Sequence, residues 1–169
     1  MPVLALISVC LAVVSCGSAP QPDTKARRAD YPESRREVQR GTNRYDLARD
    51  EERGGHTLER HVARTDAQLR ERLERERNIS AASTWTDRET AETVMAEALA
   101  AERGRLDNWM RRGYPRPNLA LHYNAGKVIG RSLRRGDDTT VDCTSAVIVL
   151  RADGPDGFYV LTTYPEARE

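Results

Sequence analysis

Three histidines, His56, His61 and His122, are the side chains of this 169-residue chain best suited to moving protons near neutral pH. None sits in a motif that names its chemistry. The chain has no phosphate-binding P-loop, no Gly-x-Gly-x-x-Gly, no Cys-x-x-Cys and no His-Glu-x-x-His. His56 and His61 are five apart, the wrong helical phase for two ligands of one metal. A Ser-His-Asp arrangement has no nucleophile-elbow motif behind it, though pattern alone leaves it open. What remains is a set of His, Arg, Thr and Tyr residues at the two ends of the segment 51–169. Those types supply a proton acceptor, fixed cationic donors for an anion, and hydroxyl groups. Taken singly, each has a plain structural role. His61 reads as a surface histidine, and Arg72 as part of a face salt-bridged to Glu71, Glu74 and Glu76. Thr162 and Tyr164 read as strand residues of high β propensity.

The elements that must hold these residues are legible from periodicity. Order is expected to begin near Gly54-Gly55-His56, with Leu58 and Val62 marking a short helix. Thr65-Asp66-Ala67-Gln68 is a capping box that starts a second helix, with Leu69 and Leu73 behind it. Another capping box, Thr86-Asp87-Arg88-Glu89, opens a third helix. Its apolar face runs from Ala91 to Met110, and Gly113 and Pro115 stop it. From Asn118 the period shortens to two through Leu119, Leu121 and Tyr123, then resumes at Val128-Ile129. Val141–Leu150 reads as one central strand, Asp153–Gly157 as a turn, and Phe158–Tyr164 as the last strand. Helices followed by antiparallel strands predict an α+β domain with the helices packed on a C-terminal sheet. Trp85 and Trp109 are expected in its core.

Ahead of that domain the composition changes. Val3 to Val14 is an uncharged run of 12 residues, the length of a signal-peptide core and too short to span a bilayer. It ends in Val13-Val14-Ser15-Cys16, which resembles a lipobox, so residues 1–15 are expected to be a signal peptide and Cys16 to carry lipid at a membrane. No Lys or Arg precedes the run. Residues 16–50, with Pro20, Pro22 and Pro32 and little apolar periodicity, read as a disordered linker. The domain proper is then 51–169, with Cys143 as its one cysteine and no internal disulfide to lean on. Net charge is +1 overall, with 27 basic against 26 acidic side chains, so no generic grip on polyanions is expected. Any such contact must come from a local cluster.

Three stretches carry a resemblance. Gly54-Gly-His-Thr-Leu-Glu-Arg-His61 continuing to Arg72-Leu, then Ala82-Ser-Thr-Trp-Thr-Asp87, then Gly157-Phe-Tyr-Val-Leu-Thr162-Thr-Tyr164-Pro, resemble the bacterial RNase A-like toxin domain. That family is the toxic C-terminal module of contact-dependent growth-inhibition and polymorphic toxin proteins. The resemblance spans nearly all of 51–165 and departs from the family at Ala63, where members usually carry glycine. It implies an RNase A-like fold without disulfides, an RNA substrate and a cognate immunity protein; a monomer is expected, and no cofactor or metal, since no cluster here has metal-ligand spacing. It also implies a catalytic set, which falls by motif on His61, Arg72, Thr162 and Tyr164. The implied reaction is metal-independent RNA cleavage by the substrate's own 2′-hydroxyl, in an exported enzyme that is secreted or tethered to the cell envelope. The alternative is a catalytically silent envelope lipoprotein that binds RNA or a protein partner.

The residues permit this set on one condition. His61 and Arg72 are eleven apart, which on one unbroken helix would separate them by roughly 16 Å along the axis. A break near Ala63–Thr65 is required, and the Thr65 capping box can supply it. Thr162 and Tyr164, two apart on a strand, share a face. His56 is expected to support the loop beside the site, and His122 to lie on the surface.

Overall fold

The computed structural model describes residues 44–167. Within them the chain forms six strands, β1 Ala81–Trp85, β2 Leu119–Asn124, β3 Gly130–Arg134, β4 Val141–Cys143, β5 Ser145–Asp153 and β6 Gly157–Glu166. Their helical companions are α1 Leu47–Glu51, α2 Thr57–His61, α3 Asp66–Arg75, α4 Arg88–Ala101 and α5 Arg103–Met110. The strands make two antiparallel sheets of three, ordered β1-β3-β4 and β2-β5-β6. The class is α+β, as the sequence predicts. The expected signal peptide, Cys16 and the linker as far as residue 43 lie outside the described residues.

α4 presents Ala91, Val94, Met95 and Ala98 at helical spacing, and all are buried with Leu121, Ile148, Leu150 and Val160 of the second sheet. Trp85 and Trp109 complete this core, as expected. α3 docks separately on the first sheet, where Leu69 and Leu73 meet Ala82 and Leu133. A ten-residue helix is not stable alone. Burying two leucines supplies about 1.5–3 kcal/mol each, which fixes α3 in place.

Four expectations are corrected. The linker does not run to Asp50: Asp46 caps α1, and Leu47 (1% exposed) is buried in the main core. The periodicity marks no element over Ala81–Trp85, where the structure has strand β1. The third helix is two, divided at Glu102, and its N-cap is Asp87 rather than Thr86. Asp87 accepts from the Thr90 amide at 2.7 Å, while the Thr86 amide is taken by the Ile129 carbonyl. Finally, Val141–Leu150 is not one strand. The Cys143 carbonyl accepts from Ile129 and the next carbonyl, Thr144, accepts from Ala125. The chain therefore leaves the first sheet for the second at Thr144.

The required break between His61 and Thr65 is present. Val62 is extended, Ala63 has φ 53°, and the Thr65–Gln68 capping box starts α3. A residue with Cβ gives up about 1 kcal/mol in that left-handed region, more than the chain entropy that glycine would lose. The Ala63 side chain is exposed, so its methyl has little packing to forfeit. Ala63→Gly is expected to raise stability by a few tenths to about 1 kcal/mol, read as a higher denaturant midpoint at unchanged slope. A lower midpoint would show that this conformation is not under strain.

Candidate active site

His61 is the last residue of the one-turn helix α2 and is 6% exposed. Its Nδ1 lies 3.2 Å from the Ser83 carbonyl on β1. A carbonyl can only accept, so Nδ1 carries the ring proton and Nε2 keeps its lone pair. Burial first, and the neighbouring Arg72 guanidinium second, push the His61 pKa down to about 3. The ring is therefore a neutral base across the physiological range.

Arg72 reaches this ring from α3. Its Nη1 is 3.4 Å from both His61 ring nitrogens, and equal distances place it over the ring rather than on either lone pair. The same nitrogen lies 3.4 Å from the Arg60 carbonyl, while Nε meets a Glu76 carboxylate oxygen at 3.3 Å. Glu76 thus holds the Nε edge of the fork while Nη1 lies against the histidine. The groove beside it is lined by Arg60, Arg64, Arg72 and Arg75 with Glu59, Glu71 and Glu76. Four arginines against three glutamates leave this groove a surplus of one positive charge, with Arg72 and Arg75 paired to Glu71 and Glu76.

Thr162 and Tyr164 come from β6. Val149 pairs with Thr162 but Leu150 pairs with Val160, so Leu161 is an extra residue, a β-bulge. The bulge changes the strand's phase. Val160 and Thr163 face the core beside Leu150 and Ile148, whereas Thr162 and Tyr164 are turned to the opposite face. Unbroken alternation would have put Val160, Thr162 and Tyr164 on one side. The Tyr164 ring stacks on His61 with centroids 5.3 Å apart and planes 28° apart. Burial, with Glu166 adding to it, raises the Tyr164 pKa, so the phenol stays protonated at neutral pH. Thr162 Oγ1 is buried with no hydrogen-bond partner. An orphaned buried hydroxyl costs stability unless something else bonds it.

Arg72 and Tyr164 thus each contact His61, and Thr162 shares the face of Tyr164. His56 stands beside them: its amide donates to the Leu161 carbonyl at 3.1 Å, and burial lowers its pKa. His122 is exposed on β2, 3.2 Å from Glu166. Two supporting residues escaped the sequence reading, Ser83 and Glu76. Ser83 lies on the unanticipated strand, and Glu76 looked like one more charge of a solvated face. Among the described residues no three His, Cys, Asp or Glu side chains converge as metal ligands, and no helix is long and apolar enough to cross a membrane.

Comparison with known proteins agrees with this arrangement. The family model of the bacterial CdiA-CT RNAse A domain matches residues 55–165. A chain in the crystal structure of a CdiA-CT/CdiI complex from Y. kristensenii 33638 is similar at 33% identity and a TM-score of 0.61. The match covers 67% of this chain and 100% of that one. No curated protein matches.

Proposed function

Because the chain belongs to the bacterial CdiA-CT RNAse A domain family, we propose that it is a ribonuclease of toxin type that cleaves RNA by transphosphorylation. The observation that carries this reading is the neutral His61 ring, its Nδ1 on Ser83, in contact with both Arg72 and Tyr164. In the proposed reaction His61 Nε2 takes the proton of a ribose 2′-hydroxyl, whose oxygen attacks the adjacent phosphorus. The bond from phosphorus to the 5′ oxygen breaks, leaving a 2′,3′-cyclic phosphate and a 5′-hydroxyl. Arg72 stabilises charge on the non-bridging oxygens. Thr162 shares the Tyr164 face of β6, and its buried, unpartnered Oγ1 positions the same phosphate once the side chain turns outward to donate to it. Tyr164 donates a hydrogen bond to the departing oxygen, which takes a proton from solvent to become the 5′-hydroxyl, and His61 returns to solvent the proton it took.

Every group in this scheme is an organic side chain, and the nucleophile comes from the substrate. Cleavage of single-stranded RNA by the purified chain should therefore proceed at the same rate with and without excess EDTA. Loss of activity with chelator and its return on adding zinc or magnesium would replace this mechanism with a metal-assisted one. A cognate immunity protein is a proposed partner, since the similar Y. kristensenii structure is a complex with CdiI. Export, with lipid on Cys16, is proposed from the lipobox-like Val13–Cys16 alone.

A further inference from the structure

The bulge that aims Thr162 and Tyr164 is not held by its own sheet alone. The Val160 amide donates to Asp50 Oδ2 at 2.7 Å, and the Thr163 amide to Thr57 Oγ1 at 3.0 Å. Between them the Leu161 carbonyl accepts from the His56 amide. Backbone groups on both sides of the extra residue are thus bonded to the α1–α2 segment. Asp50 is 4% exposed, and the same Oδ2 accepts from the Tyr45 hydroxyl at 2.7 Å. The approach is too close for any side chain at Gly55, where a Cβ would lie 2.6 Å from the Val160 carbonyl oxygen and 2.9 Å from that of Asp50. Asp50 and Tyr45 both precede the segment 55–165 that the family model matches.

The geometry points to Asp50 as a positioning residue of the active site: its carboxylate, braced by Tyr45, holds the β6 bulge in the phase that turns Thr162 and Tyr164 toward His61. A strand that lost the bulge would regain simple alternation and carry Thr163 and Pro165 to the site instead. Burial raises the Asp50 pKa. Desolvating that carboxylate works against folding, and holding the bulge is what it does in return. The inference rests on the proposed roles of Thr162 and Tyr164, and its test separates the two.

The full chain is compared with Asp50→Ala, which removes the acceptor, and with Asp50→Asn, which keeps a carbonyl oxygen in its place. Arg116→Met serves as a control for lost stability. Arg116 is buried and bonds the Gly113, Pro155 and Gly157 carbonyls at the far end of β6. Asp50→Ala is expected to lower kcat about tenfold to a hundredfold with little change in KM, the scale of misplacing groups by an ångström. Asp50→Asn should restore most of it, and Arg116→Met should turn over RNA normally while folded. Independently of activity, the His61 titration followed by NMR should rise from about 3 toward the ordinary histidine value in Asp50→Ala, because Tyr164 no longer covers the ring. Unchanged kcat and unchanged His61 titration in folded Asp50→Ala would overturn the inference. Should Asp50→Ala fail to fold, Tyr45→Phe removes the brace alone. A smaller shift of both readouts in the same direction supports the inference, and no shift overturns it. If the His61 titration moves but the unaltered chain never cleaves RNA, the positioning stands and the ribonuclease reading falls.

Discussion

His61→Ala turns over RNA at least about a hundredfold more slowly than the unaltered chain, the usual scale for losing one acid–base group. The pH profile of the unaltered protein gives the same residue a second test. A base works only when unprotonated, and His61 in the free protein is unprotonated above about pH 3. Between pH 7 and pH 5, kcat/KM should therefore stay flat where an ordinary histidine would already have lost most of its activity. The profile of kcat differs in a stated direction. A bound phosphate beside the ring favours the imidazolium, so the acid limb of kcat should lie at higher pH than that of kcat/KM. Stability follows the same linkage. The folded pKa lies below the unfolded one, so stability from the neutral ring is present above about pH 6.5 and drains away as pH falls toward 3. Full activity in His61→Ala, or an acid limb of kcat/KM near 6.5, contradicts the proposed role.

Which parts of this site could be read from sequence follows from how local each signal is. The Thr65 capping box is a contact within four residues, and it is formed as read. The break it implies brings His61 and Arg72 together. That was legible because eleven residues of unbroken helix are incompatible with one shared phosphate. The shared face of Thr162 and Tyr164 needed only period two. The change of phase just before them did not show, because Leu161 carries no turn residue to betray a bulge. Its cause is tertiary and lies in Asp50 and Thr57, more than a hundred residues earlier.

The same distinction accounts for the strands and for α1. β1 is five residues long and buried along most of its length, so it shows no alternation. Thr144 interrupts Val141–Leu150 without any breaker, since both flanks are β-formers and the break depends on which sheet claims each carbonyl. α1 has a single buried leucine in five residues, too little for a pattern. Leu47 is nevertheless packed in the core, and Asp50 bonds the strand that carries the site. What reads as the end of a linker is bonded to the strand that carries Thr162 and Tyr164.

An RNA with 2′-deoxyribose at the cleaved position, and ribose elsewhere, is expected to remain intact at that bond. The effect should exceed that of any side-chain change, because it deletes the proposed nucleophile rather than a group assisting it. His61, Arg72 and Tyr164 supply a base, a cation and a hydrogen-bond donor. None of them supplies an attacking atom in this mechanism, and the neutral His61 Nε2 acts on a proton. Without the 2′-oxygen, attack would need a water placed in line with the 5′ oxygen, and nothing in the site is assigned to hold one. The ribose substrate should in turn yield a 2′,3′-cyclic phosphate as its first product, detected by mass spectrometry before slower hydrolysis opens the ring. The deoxy substrate should still bind, since Arg72 and Thr162 address the phosphate rather than the sugar, and so it should inhibit cleavage of ordinary RNA competitively. Binding without cleavage is the pattern that isolates the chemical step from recognition. Cleavage at the deoxy position, or a first product bearing a plain 3′- or 5′-phosphate, would require a nucleophile from water or protein and would end the transphosphorylation mechanism.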